Sequence, residues 1–139
     1  MHPICSKNLF LLDMDGTLYL GNQLFPQTLP FLSAVHSRGG RCIYVTNNSS
    51  KSVDAYVQKL ARLGIAAQED DFLTSSQATA RYLRKTYPET LFYVLGTHSL
   101  KQELAQSGIA VTDRLSDGIG GLVVGFDTEL TFQKLEDAC

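Results

Sequence analysis

An α/β fold built on parallel strands is what this sequence predicts, and three observations predict it. Short apolar runs at residues 9–12, 41–45, 91–95 and 121–125 have the length and composition of buried strands. Between them lie segments whose apolar residues recur at helical spacing. No internal repeat or low-complexity linker interrupts the alternation, and strands alternating with helices imply parallel pairing with right-handed crossovers.

The first run ends in Asp13-Met14-Asp15-Gly16-Thr17. Residues 18–25 read as a non-helical excursion, with Gly21-Asn22 at the tip of a small hairpin. Thr28 is placed to cap a helix carrying Leu29, Leu32 and Val35; Pro30 is tolerable in its first turn and Gly39-Gly40 stops it. The second run, 41–45, includes Cys42 as a core residue and ends in Thr46-Asn47-Asn48-Ser49-Ser50. Asn48, Ser49 and Ser50 are read as caps of the next helix, which sets Val53, Tyr56, Val57, Leu60 and Leu63 on one face and closes at Gly64. Lys51 reads as solvated. Residues 65–71 connect to a short strand at 71–74. Ser75 or Ser76 then caps a helix running towards Lys85, ended by Tyr87-Pro88. The run 91–95 is closed by Gly96, Leu100 and Leu104 mark another helix before Gly108, and 109–120 reads as turn-rich. Residues 121–125 form the last strand, Asp127 a loop or capping residue, and Phe132, Leu135 and Ala138 begin a final helix. Tyr82, Leu83, Leu100 and Leu104 read as core.

A chain of 139 residues is long enough for one domain that buries roughly two-thirds of its unfolded surface. A net charge of −2 without a basic run argues against nucleic acid and against an anionic membrane surface. The apolar runs are far too short to span a bilayer, and residues 1–7 lack the pattern of an export leader. Cys5, Cys42 and Cys139 form neither a CxxC pair nor an even framework, which points to the reducing cytoplasm. The Asn-x-Ser pattern at Asn47 and Asn48 carries little weight without an export signal. His2, His36 and His98 share no spacing that suggests a metal site or a triad.

Chemistry concentrates at Asp13 and Asp15. A strand ending in two carboxylates delivers both to one rim of a sheet, and in open α/β sheets the rim beyond the strands' carboxyl ends is where ligands bind. Alternation sets Asp13 and Asp15 on one side and Met14 on the other. Two close like charges are costly unless a cation lies between them, and hard oxygen ligands of this kind suit Mg²⁺. A plain Asp-Gly turn is the competing reading. An EF-hand is excluded, because Thr17, Leu18 and Leu24 stand where that loop needs an acceptor, Gly and Glu. If the first two strands are neighbours, Thr46 brings a hydroxyl to the same crevice, and the Asn47 backbone N–H with the following helix start brings donors for an anion. Asp13 could then act as nucleophile and Asp15 as proton donor and later base.

These stretches carry a resemblance. Asp13-Met14-Asp15-Gly16-Thr17-Leu18-Tyr19 with Thr46-Asn47-Asn48-Ser49 resembles motifs one and two of the haloacid dehalogenase (HAD) superfamily. Leu20-Gly21-Asn22, Leu73-Thr74-Ser75-Ser76, Tyr93-Val94-Leu95-Gly96 and Val123-Val124-Gly125-Phe126-Asp127 are similar to its NagD-like, p-nitrophenyl-phosphatase-like branch (subfamily IIA), over essentially the whole chain. The resemblance implies a Rossmann-like core over residues 1–88 and the start of an inserted α/β cap of C2 type over 89–139. It implies Mg²⁺-dependent hydrolysis of small phosphate monoesters through an aspartyl-phosphate. Asp13 becomes nucleophile and metal ligand, Asp15 general acid/base with its carbonyl on the metal, and Thr46 and the Asn47 backbone hold the phosphate. The partner implied is a small phosphorylated metabolite. The family's later phosphate-clamping Lys and acidic metal motif have no counterpart after Asp127: Lys134 lies in a predicted helix, and Glu136-Asp137 lack a following strand. The expectation is therefore an amino-terminal portion whose uncovered apolar faces favour a homo-oligomer or aggregation. The rival functions are a catalytically incomplete phosphate-binding protein and a phosphomutase.

Overall fold

The computed structural model describes residues 6–139; the leader expectation for the first five residues and the state of Cys5 lie outside the described residues. Two compact units are present. One comprises the described residues up to Thr46 together with Val53–Leu73, and the other Asn47–Ser52 with Thr74–Cys139.

In the first unit, strand β1 (Leu9–Asp13) pairs in parallel with β4 (Arg41–Thr46), in a register running from Leu9 opposite Arg41 to Asp13 opposite Val45. Strand β5 (Phe72–Thr74) completes a sheet of order β1-β4-β5. The expected hairpin is present as β2 (Tyr19–Leu20) and β3 (Gln23–Leu24), antiparallel, with Gly21 at φ +58° in its turn. Helices α1 (Thr28–His36) and α2 (Val53–Arg62) supply Leu32, Val35, Tyr56 and Leu60 to a core shared with Met14, Leu18, Cys42, Tyr44 and Phe72. Phe72 lies between two tyrosines, its ring centre 5.4 Å from that of Tyr44 and 6.2 Å from that of Tyr56. Thr28 does not cap α1. The helix is entered at Gln27 without a side-chain cap, and the buried Thr28 hydroxyl instead donates to the Leu18 carbonyl at 2.6 Å. A hydroxyl satisfies whichever acceptor the fold brings nearest, and here the hairpin supplies it.

Burial gives this unit a pH signature. The phenols of Tyr19 and Tyr44 are each pushed up to about 12, first by burial and then by negative neighbours, Asp15 foremost for Tyr19 and Cys42 for Tyr44. A tyrosine raised in the folded state keeps its proton there while the unfolded chain releases it near pH 10. Stability from this source is thus complete below about pH 10 and is lost as pH rises towards 12. Denaturant unfolding followed across that window, alongside tyrosinate absorbance, is expected to show the loss, and Tyr44→Phe is expected to remove part of the slope.

The second unit is built around β6 (Leu91–Leu95), which is almost wholly buried. It is flanked in parallel by β7 (Val111–Thr112) and β8 (Ile119–Val124), in the order β7-β6-β8. The stretch expected to be turn-rich holds a two-residue strand, too short to leave a periodic signal, and β8 starts two residues before its expected position. Gly121 lets β8 pair closely with β6: a Cβ there would come within 2.6 Å of the Phe92 ring. Helices α3 (Ser75–Thr86), α4 (His98–Gln106) and α5 (Phe132–Ala138) are capped by Thr74, Thr97 and Thr131, each accepting from a backbone N–H three residues on. Neither Ser75 nor Ser76 is the α3 cap; Thr74 takes that place with Gln77 in a reciprocal capping box. Ala80, Leu83, Val94, Leu100, Leu104 and Ile109 form the core. Tyr82, expected in it, is 57% exposed, packing edge-on to Tyr87 at the surface.

Asp127 has the loop role expected of it, with a partner the sequence did not announce. Its side chain is 2% exposed; Oδ1 accepts from Glu129 N–H and Oδ2 from Lys134 Nζ at 2.9 Å. Lys134 also donates to the carbonyls of Glu129 and Gly96, so its charge is held by three oxygens.

Candidate active site

The alternation read from β1 is the alternation observed. Asp13 and Asp15 are exposed and Met14 is 1% exposed. The chain then reverses tightly. The Met14 carbonyl accepts from the N–H groups of Thr17, Leu18 and Tyr19, and Gly16 N–H donates to the Tyr19 carbonyl at 2.7 Å. Gly16 sits at φ +85°, a conformation glycine adopts without steric cost, which explains the Gly after the second Asp. Thr17 Oγ1 donates to Asp13 Oδ2 at 3.0 Å. That bond holds one carboxylate oxygen of Asp13. The i, i+4 hydroxyl in Asp-x-Asp-Gly-Thr is the signal by which Thr17 could have been singled out earlier.

Thr46 ends β4. Because Asp13 lies opposite Val45, Thr46 stands one residue beyond Asp13's partner, at the same carboxyl-terminal end of the neighbouring parallel strand. Adjacent strands lie about 4.8 Å apart. The two strands therefore end beside each other, with Thr46 buried and Asp13 open to solvent. Asn47, the next residue, is exposed and belongs to the second unit, where its carbonyl accepts from Ser75 Oγ at 3.1 Å. Asn48, Ser49 and Ser50 do not cap α2, which begins at Val53. Asn48 Oδ1 accepts from the Ser50 N–H and hydroxyl, a local turn that competes with capping, and Ser49 is engaged by Phe126.

Tyr19, at the end of the turn that follows the carboxylates, is 1% exposed, with Lys59 Nζ 4.0 Å from its ring centre. Its raised pKa reflects burial first, then the negative charges of Asp15 and, more weakly, Asp13, so the phenol stays a neutral hydrogen-bond donor. The donor chemistry at the rim is hard oxygen from two carboxylates, which fits Mg²⁺, an ion that takes one or two carboxylates and completes its shell with water and phosphate. Among the described residues no group of three or more His, Cys, Asp or Glu side chains gathers at one point, so this pair is what the described residues offer such an ion.

The fold and this rim mark the chain as a Rossmann-like α/β protein with Asp13 and Thr46 at the carboxyl ends of adjacent parallel strands. A family profile described as haloacid dehalogenase-like hydrolase matches residues 10–110, and the chain belongs to that family. It is 35% identical over 129 residues to an acid sugar phosphatase of Staphylococcus saprophyticus, covering 93% of this chain and 49% of that protein. The crystal structure of a 4-nitrophenylphosphatase from Thermotoga maritima superposes with a TM-score of 0.89 at 35% identity, covering all of this chain and 52% of the other. A glycerol phosphate phosphatase from Mycobacterium tuberculosis, in complex with magnesium, gives a TM-score of 0.87 at 31% identity, covering 95% and 40%. The chain thus spans about half the length of the curated relatives it matches. No helix among the described residues is long and apolar enough to cross a membrane.

Proposed function

We propose that this chain carries the nucleophile-bearing portion of a magnesium-dependent phosphatase that hydrolyses small phosphate monoesters. The observation that carries the reading is the β1–β4 register, which brings the two motif-bearing strands to an end beside each other at one sheet rim. The phosphatase names of the relatives support it.

Asp13 uses its carboxylate oxygen to attack phosphorus while the ester P–O bond breaks. Thr17 holds Oδ2 of Asp13, leaving the other oxygen to react. Asp15 gives a proton to the departing alkoxide. Asp15 then takes a proton from water as the water oxygen attacks the phosphorus of the aspartyl-phosphate, and inorganic phosphate leaves with Asp13 restored. The Thr46 hydroxyl and the Asn47 N–H donate to the phosphoryl oxygens. The Asp13 carboxylate and the Asp15 backbone carbonyl would hold Mg²⁺, which when bound offsets the repulsion between carboxylate and phosphate. The substrate is a small phosphorylated metabolite, and the compartment is the reducing cytoplasm, in keeping with free Cys42 and Cys139.

The purified protein is expected to release p-nitrophenol from p-nitrophenyl phosphate with Mg²⁺ present and to stop when the ion is chelated. Magnesium-independent turnover would defeat the reading. Saturable phosphate binding without turnover would replace hydrolysis by ligand binding, and transfer of the phosphoryl group to a second sugar hydroxyl rather than to water would make it a mutase.

A further inference from the structure

The segment Asn47–Ser52 follows Thr46 directly, and three separate elements of its own unit hold it. Ser75 Oγ, in the first turn of α3, donates to the Asn47 carbonyl at 3.1 Å. Phe126 N–H, just past β8, donates to Ser49 Oγ at 3.0 Å. Thr97 Oγ1, at the cap of α4 and fully buried, donates to the Ser50 carbonyl at 3.3 Å. A half-open pocket of about 200 Å³ lies against Asn47, Ser49, Ser75, Ser76 and Thr79, so these hydrogen bonds add to whatever packing the segment has.

Ser49 is closely fitted, at 8% exposed. A Cβ at Gly125 would stand 2.7 Å from Ser49 Oγ and closer still to the Leu100 side chain, nearer than non-bonded atoms pack. Gly125 has no positive φ, so glycine is required there for space and not for backbone conformation. The absence of a side chain at position 125 is what lets the serine reach the strand end.

We propose that Ser49 is a positioning residue. Its bond to Phe126 N–H and its contact with Gly125 set the backbone of Asn47–Ser52, and with it the N–H that Asn47 presents to phosphate. The phosphate part rests on the function proposed above; the backbone part does not.

Amide hydrogen exchange and inorganic phosphate titration in the presence of Mg²⁺ test both parts on the intact protein. Ser49→Ala removes atoms and leaves the core untouched, so it is expected to fold. Removing the acceptor of the Phe126 N–H is expected to raise exchange at Phe126 and across Asn47–Ser52 about ten-fold, with Val94 in β6 unchanged. Phosphate affinity is expected to fall about ten-fold in the same variant. Gly125→Ala, which displaces Ser49, is expected to reproduce both changes, and the double variant to be no worse than either single one. Unchanged exchange at Asn47–Ser52 in Ser49→Ala overturns the proposal, as does faster exchange with undiminished phosphate affinity. A wild-type protein that binds no phosphate would defeat the proposed function instead, and the exchange comparison would then decide the role of Ser49 by itself.

Discussion

Asp13→Asn is expected to abolish magnesium-dependent phosphate-ester hydrolysis. The amide keeps the size of the carboxylate and can still accept from Thr17, so the loop from Met14 to Tyr19 keeps its bonds. What disappears is the anionic oxygen proposed to attack phosphorus and a negative charge available to a divalent ion. Losing a nucleophile in a concerted site costs at least about a thousand-fold in kcat. Steady-state kinetics on p-nitrophenyl phosphate will measure that loss, and unfolding curves matched to wild type will show that it is not a folding defect. Retained turnover would mean that another group attacks phosphorus. Asp15→Asn separates the roles further: it leaves the attacking oxygen in place and removes the proton donor, so poor leaving groups are expected to suffer more than p-nitrophenol does.

Leu60→Ala is expected to be the most damaging single truncation in the first unit, costing about 3 kcal/mol or more. Leu60 is 0% exposed and packs in the cluster with Tyr44, Tyr56 and Phe72. Fully buried leucine truncations cost about 2–5 kcal/mol, through lost transfer energy plus the cavity left behind. Against a typical total of about 5–15 kcal/mol, that is a large share of the stability. Denaturant titration of the variant beside Leu63→Ala, where the side chain is only half-buried, checks it. Equal effects at the two positions would show that this core does not close tightly around Leu60.

The parts of the structure that could be read in the sequence are those governed by local period and strand order. Asp13, Met14 and Asp15 alternate as a strand must, and Thr46 reaches the rim because two parallel strands end together. The family motifs at Asp13–Thr17 and Thr46–Ser49 were legible for the same reason: each is short, contiguous and attached to a strand tip. Misreadings fell on hydroxyl and amide side chains with more than one acceptor or donor in reach. Thr28 looked like a helix cap and serves the hairpin; Ser75 looked like one and serves Asn47. Ser49 takes its partner from 77 positions away, a distance at which no local rule operates. Tyr82 fell on an apolar stripe, but its polar end and edge position keep it at the surface. β7 was missed because two residues cannot display a period.

The bond from Thr28 to the Leu18 carbonyl deserves a place in any library built to change substrate preference. It pins the first turn of α1 to the chain segment that leaves the paired aspartates, through a contact buried from water and only 2.6 Å long. A screen that randomises helix α1 as though it were mere scaffold would therefore loosen the loop that follows the two aspartates unknowingly, and its dead clones would be misattributed to folding. Holding Thr28 constant keeps such a search confined to residues that leave the loop where it is.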